Sequence, residues 1–266
     1  MTLPSIIDTH SHLSDGSFQK DLPQVLERAS KAGVKAIISV TETFEEAQAT
    51  LTLSSSFAQV LPAIGLYPTE LDLEGAERVR DLIRTHHPRV VGIGEVGLDY
   101  WKVKEEEARQ IQREIFSSFI RLSNELGLPL NVHSRSAGRD AIAMLLDAGA
   151  SKVQMHAFDG KAQTAMKGVE AGYYFSIPPS LIRSRQKQKL VKRLPLTHLL
   201  IETDSPLLGP DPNQRNEPAN AVIVVQAIAQ IKEITPEEVA EVTYANTISL
   251  YGLENPSPIS PHTHFG

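Results

Sequence analysis

Eight short apolar runs, each followed by a helical pattern, are the feature of this sequence that most limits its fold. The runs are rich in Ile, Val and Leu and read SIIDTH, KAIISV, LPAIGL, RVVGIGEV, LPLNVHS, KVQMHAF, GYYFSIP and HLLIETD. Short continuous apolar runs are typical of strands buried on both faces of a parallel sheet. The intervening segments have helix-end residues, such as Gly33, Gly127 and the N-cap candidate Thr235.

Eight strand-then-helix units favour a single α/β domain folded as a (β/α)8 TIM-type barrel over a doubly wound open sheet. The chain has 266 residues, close to the roughly 250 that one such barrel needs. The motif Gly-x-Gly-x-x-Gly, which would favour the open sheet, does not follow the first run. We expect the barrel to span residues 1–253. Residues 254–266, rich in Pro and Ser and containing His262 and His264, are predicted to be a tail.

The composition excludes several classes of site. The net charge of -6, from 26 basic and 32 acidic residues, gives no general attraction to nucleic acid, so phosphate binding would need a local patch or a metal. With no cysteine, the chain has no disulfide, thiolate metal site or Cys nucleophile. No apolar run has the length of a membrane span, and no secretory signal is recognisable. We therefore expect a cytoplasmic protein without a membrane partner.

Six polar residues lie where an apolar run meets the loop that follows it. In a (β/α)8 barrel these positions share the C-terminal face of the strands, where active sites are built. The first run supplies two histidines at a spacing of two, so both side chains leave a strand on one face. The six residues are His10, His12, Glu95, His133, His156 and Asp204.

Imidazoles and carboxylates are ligands for Zn²⁺, Mn²⁺ or Co²⁺. Four histidines and two carboxylates are too many for one tetrahedral site that keeps a water. They suit two ions roughly 3.5–4 Å apart, which together activate a bridging water. Each residue alone has another explanation, since Glu95 could pair with a base and Asp204 could cap a helix. Convergence from five runs favours the metal hypothesis, whereas His86, His87 and His198 are interpreted as structural.

The motifs that surround these residues resemble the TatD family of metal-dependent hydrolases and deoxyribonucleases, within the amidohydrolase-like barrels. The similarity extends over residues 4–253 and rests on DTHSHL, GEVGLDYW, LPLNVHSR, HAFDG, LLIETDSPLL, RNEP and NTISLYGL together. The resemblance implies an amidohydrolase-like barrel with its active site at the C-terminal ends of the strands.

The resemblance also implies roles for the six residues. Glu95 would bridge two divalent cations, which for this family are Zn²⁺, Mn²⁺ or Mg²⁺. One cation would be bound by His10, His12 and Asp204, and the other by His133 and His156. Glu95 and Asp204 are the predicted catalytic residues, because Asp204 would also orient or deprotonate the attacking water.

Three segments depart from the family pattern. Tyr67 in GLYP replaces a histidine that lies near the substrate phosphate, and a phenol can donate a hydrogen bond but carries no positive charge at pH 7. HAFDG contains Ala157 and Asp159, and a carboxylate there would repel a phosphate or contact the metal centre. Phe119 replaces a frequent Gln, which we interpret as a packing change.

Substrate contacts are predicted at Tyr67, Arg135, Arg183 and Arg185. Arg135 follows His133 and is the best single candidate for a phosphate contact. Arg183 and Arg185 open a basic segment, RSRQKQKLVKR, which is either a solvated helix or an electrostatic contact for a nucleic-acid backbone. Trp101 and Tyr100 either stack on a base or belong to the core.

The predicted activity is metal-dependent hydrolysis of DNA phosphodiesters, from the 3′ end of single strands, by a monomer or weak oligomer. A second hypothesis keeps the metals but changes the bond to an ester or amide, as in D-aminoacyl-tRNA deacylases. It is motivated by the acidic net charge and by Tyr67. A third, a non-catalytic metal-binding protein, would require a missing ligand, and no ligand is missing.

Overall fold

The computed structural model describes residues 5–254 and contains eight parallel strands that alternate with helices. The strands are short and almost entirely buried, as the apolar runs predict. Their bounds are β1 Ile6–Ser11, β2 Val34–Ser39, β3 Val60–Ile64, β4 Gly92–Gly97, β5 Leu130–His133, β6 Val153–Met155, β7 Tyr174–Ile177 and β8 Leu199–Ile201.

One helix follows each of the first seven strands and two follow β8. Their apolar faces pack on the outside of the sheet, while Gly127 and Gly252 end α4 and α9 in the left-handed conformation. The Thr235 hydroxyl accepts a hydrogen bond from the Glu238 N–H and caps α9, as predicted. The helices are α1 Leu22–Lys31, α2 Phe44–Ser56, α3 Leu73–His86, α4 Glu106–Leu126, α5 Gly138–Asp147, α6 Ala162–Glu170, α7 Arg185–Arg193, α8 Ala221–Lys232 and α9 Pro236–Tyr251.

The strands pair in chain order from β1 to β8, and the barrel closes between β1 and the residues after β8. At this junction the Asp204 N–H donates to the His10 carbonyl at 2.8 Å, and the His12 N–H donates to the Ser205 carbonyl at 2.8 Å. Closure therefore fixes the backbone of Asp204 beside His10 in β1 and His12 just after it. The predicted (β/α)8 barrel is confirmed.

Two glycines let the backbone around Glu95 approach the neighbouring strands. A Cβ on Gly94 would lie 2.5 Å from the Cβ of Asn131 in β5. A Cβ on Gly65, just after β3, would lie 2.5 Å from the Glu95 carbonyl oxygen. A side chain at either position would therefore push β4 away from its neighbours and displace Glu95.

We expect Gly94→Ala to lower the free energy of unfolding by about 1–3 kcal/mol, the usual effect of overpacking a tight core. Urea denaturation of the purified variant measures this difference. Gly16→Ala is the matched control, since a Cβ on Gly16 would meet nothing within 4 Å. Equal unfolding midpoints for the two variants would contradict the close approach of β4 to β5.

No helix within residues 5–254 combines the length and the apolar character needed to span a membrane. The proposed tail, including His262 and His264, lies outside the described residues apart from Glu254.

Candidate metal centre

All six candidate ligands lie at the C-terminal end of the barrel, on β1, β4 and β5 or just beyond β1, β6 and β8. Glu95 lies inside β4, two residues before its end, and the others lie within three residues of the end of a strand. All six are buried. The structure therefore brings together side chains that are up to 194 residues apart in the sequence, such as His10 and Asp204.

Four side-chain atoms form a compact group at the barrel closure. His10 Nε2 lies 3.2 Å from His12 Nε2, and each of these nitrogens lies 3.4–3.6 Å from both Glu95 Oε2 and Asp204 Oδ1. Ligands about 2.0–2.1 Å from a tetrahedral Zn²⁺ ion would be separated by about 3.3–3.4 Å. The spacing of the two imidazole nitrogens from each carboxylate oxygen therefore suits a small divalent cation, and His10, His12 and Glu95 form a group whose ligand atoms all lie within 4.8 Å of one another.

A second group shares the other oxygen of Glu95. Glu95 Oε1 lies 2.6 Å from His133 Nδ1 and 3.8 Å from His156 Nε2. Ligand atoms of these three residues all lie within 4.8 Å of one another. Because the two oxygens of Glu95 face different groups, this carboxylate is placed to connect two cation positions.

Three of the histidines direct one ring nitrogen at the centre and the other at a buried acceptor. His10 Nδ1 bonds Asn131 Oδ1 at 2.8 Å, and His133 Nε2 bonds Asp99 Oδ2 at 3.0 Å. His156 Nδ1 likewise bonds a carboxylate oxygen at 2.9 Å. Such outer acceptors fix the orientation and tautomer of metal-binding histidines.

Glu202 supplies the acceptor for His156 and supports the site rather than facing its centre. Its Oε2 also accepts from the Ser176 hydroxyl at 2.6 Å, and its Oε1 accepts from the Ala157 N–H at 3.0 Å. Glu202 lies close to His10 and His156. Since both of its oxygens already accept hydrogen bonds, we assign it a positioning role.

The histidines and carboxylates of the centre shift one another's pKa values. Burial opposes the charged form of His10, but the Glu95 and Asp204 carboxylates outweigh it and raise the pKa of His10 to about 10. Burial likewise opposes ionisation of Glu95, yet His133 and His10 hold its pKa well below the usual range. The carboxylates therefore need positive charge beside them, which protons on the imidazoles or divalent cations supply.

A cavity of about 260 Å³ opens above the centre and is lined by five of the six candidates, all except His10. Basic groups reach it from two sides, through Arg135 on the loop after β5 and Lys187 on α7. Ser134 also lines the cavity, although its hydroxyl oxygen is buried and has no hydrogen-bond partner among residues 5–254. The cavity therefore combines a cation-binding floor with donors suited to an anionic oxygen.

The loops around this cavity contain strained backbone. Ser136, Ala157, Asp204 and Leu208 have φ angles of 58°, 40°, 54° and 43°, in the left-handed region that residues with a Cβ seldom adopt. Such strain is concentrated at functional sites, where the surrounding structure maintains it. Its location agrees with an active site at the C-terminal ends of the strands.

A family model described as TatD related DNase matches residues 7–252. The chain belongs to this TatD family. A human protein named deoxyribonuclease TATDN3 is 46% identical over 258 residues, which cover 92% of this chain and 94% of that protein. Bacillus subtilis YabD, named an uncharacterized metal-dependent hydrolase, is 34% identical over 258 residues, with 93% and 99% covered. The predicted family and the predicted class, a metal-dependent hydrolase, are confirmed.

Solved structures of the TatD family share the fold. The crystal structure of YJJV, a TatD homologue from Escherichia coli K12, superposes with a TM-score of 0.87 at 26% identity and covers 94% of this chain and 98% of its own. A TatD-family hydrolase from Entamoeba histolytica has a TM-score of 0.85 at 21% identity, with 94% and 99% covered. Both confirm the barrel.

Two of the residues of this TatD-family chain that depart from the family pattern, Tyr67 and Asp159, line the cavity above the centre. The Tyr67 hydroxyl donates to Asp99 Oδ2 at 3.4 Å, and its ring meets the His133 ring edge to face at 5.0 Å. Burial, then Glu95 and Asp99, raise the pKa of Tyr67, so the phenol stays protonated. The Asp159 carboxylate accepts from the Ser136 N–H at 3.0 Å. Phe119 is fully buried, in agreement with a packing role.

Of the three arginines predicted to contact the substrate, only one lines the cavity. Arg135 lines the cavity. Arg185, the first residue of α7, and Arg183, two residues before it, are exposed and do not line the cavity. Arg183 Nε instead donates to the Gly209 carbonyl at 3.3 Å. Lys187, which the sequence analysis does not single out, is only 9% exposed and its Nζ donates to the Ala157 carbonyl at 3.0 Å. It is therefore the α7 cation that faces the centre.

Asp99 is another residue that the sequence analysis does not single out. Its Oδ1 accepts from the N–H groups of Trp101 and Lys102 at 2.9 and 2.7 Å, which fixes the loop after β4. Its Oδ2 accepts from His133. The motif GLDYW contains this carboxylate, but the sequence does not show that it meets a histidine of the next strand.

We expect Asp99→Asn to weaken binding of the cation held by His133 by about 10–100-fold, the usual effect of losing such a supporting contact. The Asn Oδ1 can still accept from the loop N–H groups, whereas its amide nitrogen cannot accept from His133. Calorimetric titration with Mn²⁺ measures the affinity. Unchanged affinity would show that Asp99 does not orient His133.

Proposed function

We propose that this TatD-family chain is a deoxyribonuclease that hydrolyses phosphodiester bonds with two divalent cations. The observation that carries the proposal is the group of four atoms from His10, His12, Glu95 and Asp204, with five separations of 3.2–3.6 Å. The name of the human relative, a deoxyribonuclease, supports DNA as the substrate.

The proposed cation sites are assigned from the nitrogen and oxygen donors that lie close together in the centre. His10, His12 and Asp204 would hold one cation, His133 and His156 the other, and Glu95 would bridge them. Nitrogen and oxygen donors at this spacing suit Zn²⁺ or Mn²⁺, and Mg²⁺ is the third candidate. Bound cations would supply an activated water and would stabilise negative charge on the phosphate oxygens.

The residues around the cations would orient the reacting groups. Asp204 would orient the attacking water and accept its proton, because its buried carboxylate faces the shared centre. Burial opposes ionisation of Asp204, but the surrounding histidines lower its pKa, which keeps the carboxylate ionised. Lys187 and Arg135, which both line the cavity, would contact the phosphate. Tyr67, as a neutral phenol, would contribute a hydrogen bond without charge.

The cavity favours an unpaired strand end as the substrate. Its volume of about 260 Å³ lies just below the usual range of about 300–1,000 Å³ for small-molecule sites. A single nucleotide matches that scale, whereas the stacked bases of a duplex do not. We therefore propose removal of nucleotides from single strands in the 3′ to 5′ direction, by a monomer or weak oligomer.

Lys187→Met is expected to lower kcat/KM for DNA by about 10–100-fold, since hydrogen bonds to charged groups contribute about 1.5–3 kcal/mol. Methionine has a similar length and suits the buried stem. Lys189→Met is the matched control, because Lys189 is exposed on the same helix. Steady-state kinetics on single-stranded DNA compare the two variants, and equal losses would assign the effect to general charge rather than to the cavity.

A second candidate, hydrolysis of an acyl ester or amide, is favoured by the neutral Tyr67 and by the Asp159 carboxylate at the cavity wall. A panel of substrates separates the two. Metal-loaded protein is incubated with end-labelled single-stranded DNA, with duplex DNA and with D-aminoacyl-tRNA. Cleavage of DNA with release of single nucleotides supports the proposal, whereas deacylation without DNA cleavage would replace it by the second candidate.

A further inference from the structure

An exposed tryptophan lies at the rim of the barrel end that holds the candidate metal centre. Trp101 is the single tryptophan of the chain and is 51% exposed, in the loop between β4 and α4. Tyr100 beside it is partly buried and packs under the Arg109 guanidinium, whose carbon lies 4.3 Å from the ring centre. Trp101 therefore contributes an open aromatic face to the surface, and the core alternative does not hold for it.

The Trp101 ring is already stacked against a cation that lines the cavity. The guanidinium carbon of Arg135 lies 3.8 Å from the centre of the ring. The loops that carry the two side chains are joined, because the Tyr100 N–H donates to the Arg135 carbonyl at 3.0 Å. Arg135 thus connects the aromatic face at the rim with the interior of the cavity.

The loop that carries Trp101 is also connected to the candidate metal centre, through Asp99. Asp99 accepts from the Trp101 N–H through one oxygen and from His133 Nε2 through the other. One buried carboxylate therefore fixes both the loop that carries the tryptophan and a candidate metal ligand. A stacking surface with this support needs little reorganisation when a ligand arrives, which favours affinity.

We propose that Trp101 and Arg135 form a stacking platform for the nucleobase of the nucleotide whose phosphate lies at the metal centre. This inference rests on the proposed function and adds how the substrate is recognised. An aromatic face accepts any base, because every base has a π surface, and a guanidinium adds a cation–π contact. In a duplex the faces of a base are covered by its neighbours. The platform therefore selects unpaired nucleotides without regard to sequence.

The test uses Trp101 as its own reporter. Metal-loaded protein, excited at the red edge of the tryptophan band, is titrated with deoxyadenosine 5′-monophosphate and separately with 2-deoxyribose 5-phosphate, which has the phosphate but no base. Calorimetry gives both affinities. The platform predicts saturable quenching by the nucleotide only, and tighter binding of the nucleotide by about tenfold. Equal affinities, or nucleotide binding without a change in emission, would overturn it.

Substitutions separate stacking from folding. Trp101→Ala should weaken nucleotide binding by about tenfold, to the affinity of the sugar phosphate, which lies within the range of about 5–150-fold for losing one base–aromatic stack. It should leave binding of the sugar phosphate unaffected. Trp101→Phe should retain most of the affinity. Leu146→Ala removes an exposed apolar side chain on α5 and serves as the control. Equal nucleotide affinity in Trp101→Ala and Leu146→Ala would overturn the platform.

Failure of the platform and failure of the proposed function have different signatures. Hydrolysis of single-stranded DNA by the wild-type chain is measured in parallel. Wild-type cleavage with an unchanged KM in Trp101→Ala would overturn the platform alone. Absence of wild-type cleavage would overturn the proposed function, while the nucleotide titration, which needs no turnover, still decides whether the platform exists.

Discussion

Replacing Asp204 by Asn is expected to lower the rate of DNA hydrolysis by about 10³-fold or more while leaving the barrel folded. The amide keeps the shape of the side chain but carries no charge and cannot accept a proton from water. Loss of a positioned general base alone reduces rates by about 10²–10⁴-fold, and loss of a cation ligand adds to it. Single-turnover cleavage of end-labelled single-stranded DNA at saturating Mn²⁺ measures the rate.

Asp147→Asn is the matched control for this experiment. Asp147 is exposed at the end of α5, and the helix ends of this barrel that precede a strand lie opposite the metal centre. The two variants should have the same circular dichroism spectrum, and only Asp204→Asn should lose activity. Loss of a general base lowers a rate by at least about 10²-fold. If the rate for Asp204→Asn stays within about threefold of the wild-type rate, Asp204 does not act as the general base.

Glu95→Gln is expected to have the second large effect, because one side chain faces both cation positions. The amide can present a single oxygen, so at most one position keeps its ligand. We expect binding to fall from two cations to no more than one per chain, and cleavage to fall by about 10³-fold, since metal-assisted catalysis needs both. Elemental analysis of the dialysed protein gives the cation content.

Glu241→Gln provides the comparison, since Glu241 is exposed on α9. It should bind two cations and cleave DNA at the wild-type rate. A Glu95→Gln protein that still binds two cations with wild-type affinity would show that Glu95 does not bridge them, whatever its effect on cleavage.

Much of the barrel and of the metal centre could be predicted because both depend on local patterns. Buried parallel strands have continuous apolar sequences, and the barrel places their ends on one face, so His133 and His156 were recognisable as neighbours before any coordinates. The position of Asp204 is harder to predict from the sequence. Its place beside His10 depends on the closure between β1 and the residues after β8, which the sequence implies only through the number of strands.

The supporting residues could not be predicted, because their roles depend on contacts between strands. Asn131 and Glu202 are polar residues within or beside apolar runs, and nothing local shows that they orient His10 and His156. The basic segment on α7 is a similar case. The sequence shows several cations but not the rotation of the helix about its axis, and that rotation turns Lys187 rather than Arg185 into the cavity.

Whether two cations carry out the hydrolysis is measured most directly by a cation titration of DNA cleavage. Protein stripped with a chelator is reloaded with Mn²⁺ in steps, and single-turnover cleavage of end-labelled single-stranded DNA is followed at each step. Hydrolysis with two cations predicts no cleavage without cation and a rate that reaches its plateau at two equivalents per chain. Cleavage that persists in the chelator, or a plateau at one equivalent, would contradict it.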